Sequence, residues 1–321
     1  MRTHHPRASA KLPARFRLGL VALVLLAAAC GGSQPAATST TQAAHFPLTI
    51  TRPDGVAVTI THQPHRIVSL SPTATEMLFA IGAGAQVTAV DDQSNYPANA
   101  PMTKLSGFQP NIEAIAAYTP DLVVASEDLG GLVHGVQALN IPLLLEPAAK
   151  TLDDSYRQFN QLGTATGHVA EAGSVVSKMQ SQVRTLIALV AKPSRPLRVY
   201  HELDNTFFSA TSATFIGQVY KLYGVANIAD GAPAGASDYP QLSAEYIVSS
   251  NPDLIVLADT KCCNQNLDTV AARPGWSAIK AVRSGQVVGV DDDIASRWGP
   301  RVIDFMQAVA GRLQLIETQA A

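Results

Sequence analysis

Two adjacent cysteines, Cys262 and Cys263, carry the most conspicuous chemistry in this chain. Such a pair either closes into an eight-membered disulfide ring that stiffens its loop or stays as two thiols able to grip a soft metal. A thiol site needs more ligands, and neither a C-x-x-C spacing nor a Cys/His cluster lies nearby, so the ring is the preferred reading. Asp291 to Asp293 could hold a hard cation, although three carboxylates after an apolar run read first as a solvated strand end. The sequence contains no G-x-S-x-G elbow, Walker A or H-E-x-x-H motif and offers no nucleophile–base dyad. It is therefore not read as an enzyme, and a secreted enzyme stands as the rival class. A carrier of free metal would need three or four clustered His and carboxylate ligands, which cannot be assembled here, so no metal site is expected.

Two glutamates are singled out by repetition. NIEAIAAYTPDLVVAS begins at Asn111, and SAEYIVSSNPDLIVLA begins at Ser243, so Glu113 and Asp121 recur 132 residues later as Glu245 and Asp253. Each phrase reads as a short helix capped by Asn111 or Ser243, ended by a Pro-Asp turn and followed by a buried parallel strand. One such glutamate would be explained by the helix macrodipole, worth about 0.3–1 kcal/mol. Two of them on related lobes, placed about an approximate two-fold axis, suit docking on a symmetric dimer that presents arginines.

The elements that position these residues alternate. LTITRPDGVAVTI (48–60) is a hairpin around Pro53-Asp54-Gly55. Beyond it, the short apolar runs RIVSL, QVTAV and DLVVAS are separated by helical or turn segments, the texture of βα units. The first helix has Ser71 as N-cap, Pro72 at its first position and Gly82 as its stop. Residues 155–192 read most simply as one long helix, with Gly163, Gly167 and Gly173 warning of a kink near its start and Pro193 and Pro196 ending it. The βα texture then resumes through RPLRVYHEL, a helix around Phe215 to Tyr223, DLIVLA, QVVGV and a last helix from about Pro300 to Ile316. The expected fold is α/β: two lobes, each with a central mostly parallel sheet flanked by helices, bridged by a single long backbone helix.

At 321 residues and 47% hydrophobic, the chain can build two cores. Residues 1–29 hold five basic residues, no acid and the 12-residue apolar run LGLVALVLLAAA, which suits a cleaved signal peptide and is too short for a permanent span. LLAAACGG resembles the lipobox of bacterial lipoproteins, with Cys30 as the lipidated residue. Residues 31–44 lack charge and large apolar side chains, so residues 30–44 are read as lipidated cysteine and disordered tether, reaching about 20 Å. The remaining divisions are 45–154 for the first lobe, 155–193 for the connecting helical region and 194–321 for the second lobe. Loss of the signal leaves a formal charge of −7, which argues against nucleic acid. Export also implies an oxidising compartment for Cys262 and Cys263.

RIVSLSPTATEMLFAIGAGAQVTAVDDQSNYP, NIEAIAAYTPDLVVAS, ATFIGQVYKLYGVANI, SAEYIVSSNPDLIVLA and SRWGPRVIDF resemble successive blocks of class III substrate-binding proteins of ABC importers, the cobalamin and iron-siderophore group. The resemblance covers roughly residues 48–316. It implies a ligand cleft between the two lobes, in a monomer, lipid-anchored on the outer face of the cytoplasmic membrane, that hands a small ligand to a permease dimer with its ATPase. Glu113 and Glu245 match the glutamates that pair with permease arginines. No intrinsic cofactor is implied. The cargo is expected to be a corrinoid in preference to a ferric siderophore, with haem or a free metal ion as alternatives.

Ligands of open α/β sheets meet the loops beyond the carboxyl ends of the strands. That rule selects Ser71, Pro72 and Thr73, Asp91 to Tyr96, Phe108 and Gln109, and Ser126 to Asp128 in the first lobe. In the second it selects His201 to Asn205, Tyr239, Asp259 to Cys263 with Lys261 and Cys262 among them, and Asp292 to Trp298 with Arg297 beside the tryptophan. Phe108, Tyr239 and Trp298 supply flat area for a macrocycle. Arg297, with Lys261 as a weaker second, would face an anionic chelate, and His201 or Tyr96 would be the axial ligand of a haem.

Overall fold

The computed structural model describes residues 44–190, 195–233 and 235–320; the expected signal peptide, Cys30 and nearly all of the tether lie outside the described residues. The chain enters through an antiparallel hairpin, β1 (Leu48–Thr51) and β2 (Ala57–Ile60), turning at Gly55 with φ +82. The first lobe follows as β3 (Ile67–Leu70), α1 (Pro72–Ala80), β4 (Val87–Asp91), β5 (Met102–Leu105), α2 (Ile112–Ala116), β6 (Leu122–Ala125), α3 (Leu132–Ala138) and β7 (Leu143–Leu145). Its five strands are all parallel, in the order β5-β4-β3-β6-β7.

Two helices, α4 (Leu152–Thr166) and α5 (Val169–Leu189), lead to the second lobe. That lobe comprises β8 (Arg198–Glu202), α6 (Phe215–Leu222), β9 (Ala226–Asn227), α7 (Ala244–Ser250), β10 (Leu254–Leu257), α8 (Leu267–Ala271), α9 (Lys280–Arg283), β11 (Val287–Gly289) and α10 (Asp292–Ser296). The last helix is α11 (Val302–Ala320). Its strands are again parallel, in the order β11-β10-β8-β9.

The single helix expected over 155–192 is broken at Gly167 and His168. Gly167 takes φ +81, where a side chain is strained, and the amides of Gln63 and Gln86 donate to the Thr166 carbonyl, closing the end of α4. Gly163 lets α5 return close by, since a Cβ there would lie 2.4 Å from that of Ala172. The strut is therefore α5 alone, about 32 Å long. Val176, Met179 and Val183 bury its inner face in a core shared with Phe305, Met306 and residues of both sheets, so the strut is part of the core.

The repeated phrase acquires a mechanical meaning here. The Asp121 carboxylate accepts hydrogen bonds from the amides of His65 and Arg66, while the Asp121 amide donates to the Arg66 carbonyl. Asp253 accepts from the Arg198 amide and donates its own amide to the Arg198 carbonyl. Arg66 and Arg198 are themselves 132 residues apart, so the duplication extends to the partner strands. Thr119 and Asn251, at matching places in the turns, both adopt left-handed backbone with φ +46 and +45. Each aspartate thus fastens the start of one central strand to its neighbour.

Replacing Asp121 or Asp253 with alanine is expected to cost about 2 kcal/mol each, read as a lower urea midpoint at pH 7. Burial would raise the Asp253 carboxyl, but hydrogen bonds from Arg195, Lys280 and the Arg198 amide hold it down at about 2. A depressed carboxyl stabilises above its unfolded value, so this contribution should vanish as pH falls from about 4 through about 2.

Candidate ligand cleft

The carboxyl ends of both sheets carry the loops that border the cleft, and a buried polar network ties the two sets of loops together. Glu76 on α1 accepts from Arg297 Nη1 at 2.9 Å and from Arg301 Nε and Nη2 at 2.9 and 2.5 Å. Arg297 reaches further into the first lobe, to Asn95 Oδ1 and the Gln93 carbonyl, and back to Asp293 Oδ1 at 2.8 Å. Asp293 closes the circuit by accepting from Asn95 Nδ2 at 2.9 Å and from Lys261 Nζ at 3.0 Å. Arg301 stacks over the Tyr96 ring, 4.3 Å from its centroid.

That network decides the fate of several sequence candidates. Arg297 is only 9% exposed, and both Nη atoms are engaged by protein acceptors, so its fork is not free for an anionic chelate. Lys261 is held by Asp291 at 2.6 Å as well as by Asp293. Trp298 is half-buried, donating from its indole to Gln158 at 2.6 Å. His201 is corrected outright: it sits fully buried in β8, its Nδ1 2.6 Å from the Tyr220 hydroxyl and its ring against Phe305. A parallel strand covered on both faces leaves the ring no solvent-facing side; burial pushes its pKa down to about 3, and although the imidazole is therefore neutral, no haem iron can reach it there.

Other candidates remain on the surface. Phe108 is 74% exposed and Tyr239 46%, one in each lobe, five and six residues ahead of the paired glutamates. Gln109 and Tyr96 are exposed as well. Ser71 and Thr73 are buried; Ser71 caps α1 through the Ala74 amide and accepts from Ser126, while Pro72 begins the helix. Cys262 and Cys263 are joined as a disulfide on the loop after β10, and the Asp292 carboxylate anchors that loop through Thr260 Oγ1 and the amides of Lys261 and Cys262. Glu113 and Glu245 are both exposed in the first turns of α2 and α7, capped by Asn111 and Ser243. Neither carboxylate has a hydrogen bond or ion pair among the described residues.

Sequence reasoning missed Glu76 and Arg301, and it missed the arginine at the centre of a second buried cluster, although the strand-end rule selects Asn95, Glu202 and Asp259. There, Arg273 grips Glu202 with two bonds of 2.5 and 2.6 Å, lies 4.4 Å over Trp276, and donates to Gln265, which in turn holds the Cys263 carbonyl. Asp259 is fully buried beside them, and burial together with the Glu202 charge pushes its pKa well up. The only sequence clue was the four-residue spacing of Asp293, Arg297 and Arg301, which Pro300 disguises.

Glu146, after β7, is likewise raised by burial, to about 8. Each of these two acids keeps a proton in the native state that the unfolded chain would release. Stability should therefore fall as pH rises from about 4.5 to about 8. The double substitution E146Q/D259N is expected to flatten that slope in urea titrations run across this range, and an unchanged slope would show that the acids are ionised.

Two parallel-sheet lobes on one strut, with strand-end loops bordering the gap between them, are the architecture of a bilobal solute-binding protein. The profile of the periplasmic binding protein family matches residues 67–294, and the chain belongs to that family. A cobalamin-binding protein of Halobacterium salinarum is 31% identical over 310 residues, covering 91% of this chain and 82% of that one. An uncharacterised ABC transporter substrate-binding lipoprotein of Bacillus subtilis is 29% identical over 309 residues, covering 92% and 96%. The crystal structure of the periplasmic vitamin B12 binding protein of Vibrio cholerae superposes with a TM-score of 0.67 at 24% identity, covering 79% of this chain and 98% of that one. That last likeness concerns the fold alone.

Proposed function

We propose that this chain is the corrinoid receptor of an ABC importer. A signal peptide (1–29) is removed, Cys30 carries the lipid, and the tether (to residue 44) lets the two lobes patrol the outer face of the cytoplasmic membrane as a monomer. The cleft takes up a corrinoid without chemical change and presents it to a permease dimer, with Glu113 and Glu245 each meeting arginines of one permease subunit. The observation that carries the cargo assignment is the pair of outward-facing aromatics, Phe108 and Tyr239, one per lobe on strand-end loops. Aromatic planes give a broad, flat macrocycle contact area at little cost in rotamer entropy. The cobalamin-binding relative from H. salinarum supports the same cargo. A haem reading draws no support from His201, whose imidazole is inside the core.

Trp298 borders the interlobe network, so its emission reports on cleft occupancy, whereas buried Trp276 provides a constant background. Titrating the purified protein with cyanocobalamin is expected to quench fluorescence saturably, with ferric siderophores and haem giving no saturable change. Absence of quenching by all three, confirmed by calorimetry, would dispose of the assignment.

A further inference from the structure

The loops at the carboxyl ends of the strands (92–101, 106–111, 126–131, 146–151, 203–214, 228–243, 258–266 and 290–301) contain eleven carboxyl groups and only four basic side chains. Three of those four are already committed: Lys261 to Asp291 and Asp293, Arg297 to Glu76 and Asp293, and Arg301 to Glu76. Lys150 is the one basic side chain of these loops with no ion pair among the described residues. Arg273, just outside them, is saturated by Glu202. On the acidic side, Asp92, Glu127 and Asp238 are exposed and have no ion pair among the described residues. Even with Glu146 and Asp259 kept neutral by burial, nine anions oppose four cations. The mouth of the cleft therefore carries a net negative field, focused by low-dielectric lobes on either side.

We propose that the cleft selects its cargo by charge, accepting neutral or cationic metal macrocycles and repelling polyanionic chelates. This deepens the corrinoid assignment and rests on it. The physical reason is that a site grips an anion with uncommitted guanidinium or ammonium groups, and here three of the four are already held by carboxylates of the protein. Beyond the single lysine Lys150, a polyanion would have to break the Glu76–Arg297–Asp293 network to reach a second cation, and would leave buried charges without partners if it did. A cationic cargo meets the unpaired rim carboxylates directly.

The test uses one corrin with unchanged axial ligands and three net charges: neutral cyanocobalamin, its anionic b-monocarboxylic acid and its cationic b-(2-aminoethyl)amide, with a ferric tricatecholate as polyanion. Calorimetry on the full chain in detergent at low ionic strength is expected to rank cation above neutral above anion, with steps of about threefold to tenfold that collapse near 1 M salt. The tricatecholate should show no binding. In D92N/E127Q, which removes two of the exposed rim charges, the spread between cation and anion should narrow. Equal affinities at low salt, tightest binding of an anion, or an unchanged spread in that variant would overturn charge selection and leave the corrinoid assignment standing. Failure of every corrin to bind would instead remove the assignment, and charge selection with it.

Discussion

Replacing Glu113 and Glu245 together with alanine is expected to abolish delivery of cargo to the permease while leaving its capture intact. Both side chains stand in solvent on first helical turns and touch no other described side chain through a hydrogen bond or ion pair, so neither contributes to the cleft or the core. Removing them forfeits only the macrodipole term, about 0.5 kcal/mol each, which leaves the protein folded. At a docked interface the loss is of another order. A carboxylate desolvated against arginines contributes through both steering and lifetime, and truncating one partner of such a pair costs about 2–5 kcal/mol. Two lost pairs on a two-fold partner should reduce transport in proteoliposomes by more than about a hundredfold, while each single variant retains part of it. Fluorescence titration should return the wild-type affinity for cyanocobalamin. A matching fall in affinity would put the glutamates in the cleft, and undiminished transport would remove them from docking altogether.

The second large effect is on stability. Glu76→Ala is expected to destabilise the protein by about 3 kcal/mol or more. Its carboxylate is 1% exposed as a residue and receives three hydrogen bonds from Arg297 and Arg301, which are 9% and 13% exposed at their side chains. Without it, two largely buried guanidinium groups face each other with Asp293 as the sole remaining carboxylate on Arg297. Because the network joins α1 to α10 and the start of α11, its rupture should also loosen the lobes against each other. Urea unfolding would read the first consequence and protection of the Asn95 and Cys262 loops from amide exchange the second. A Glu76→Gln variant keeps the volume and some hydrogen bonds and should lose less. A loss below about 1 kcal/mol in the alanine variant would mean that the network adds specificity without holding the lobes.

Much of the architecture was legible in the chain because it is written in local or repeated signals. The Pro-Asp phrase marks a capped helix feeding a buried strand wherever it occurs, and Asn111, Ser243 and Ser71 cap their helices as their side-chain chemistry dictates. Duplication at a constant offset of 132 residues implied two related lobes, and the exposure of Glu113 and Glu245 followed from their place in a first turn. What escaped depends on distant partners. Residues 155–192 favour helix throughout, and only the docking of Gln63 and Gln86 on Thr166 and of Ala172 on Gly163 breaks it in two. Arg297 looked like a free anion fork because its main partner, Glu76, is 221 residues away. His201 looked like a cleft ligand because a strand's end is visible in sequence whereas the direction of each side chain is not. Residue type and spacing established the lobes, their caps and the paired acids, since those rest on interactions a few residues long. Which charges were spent on one another was settled only when the chain brought α1, α10 and α11 together, since burial makes an arginine's nearest carboxylate in space, and not in sequence, its obligatory partner.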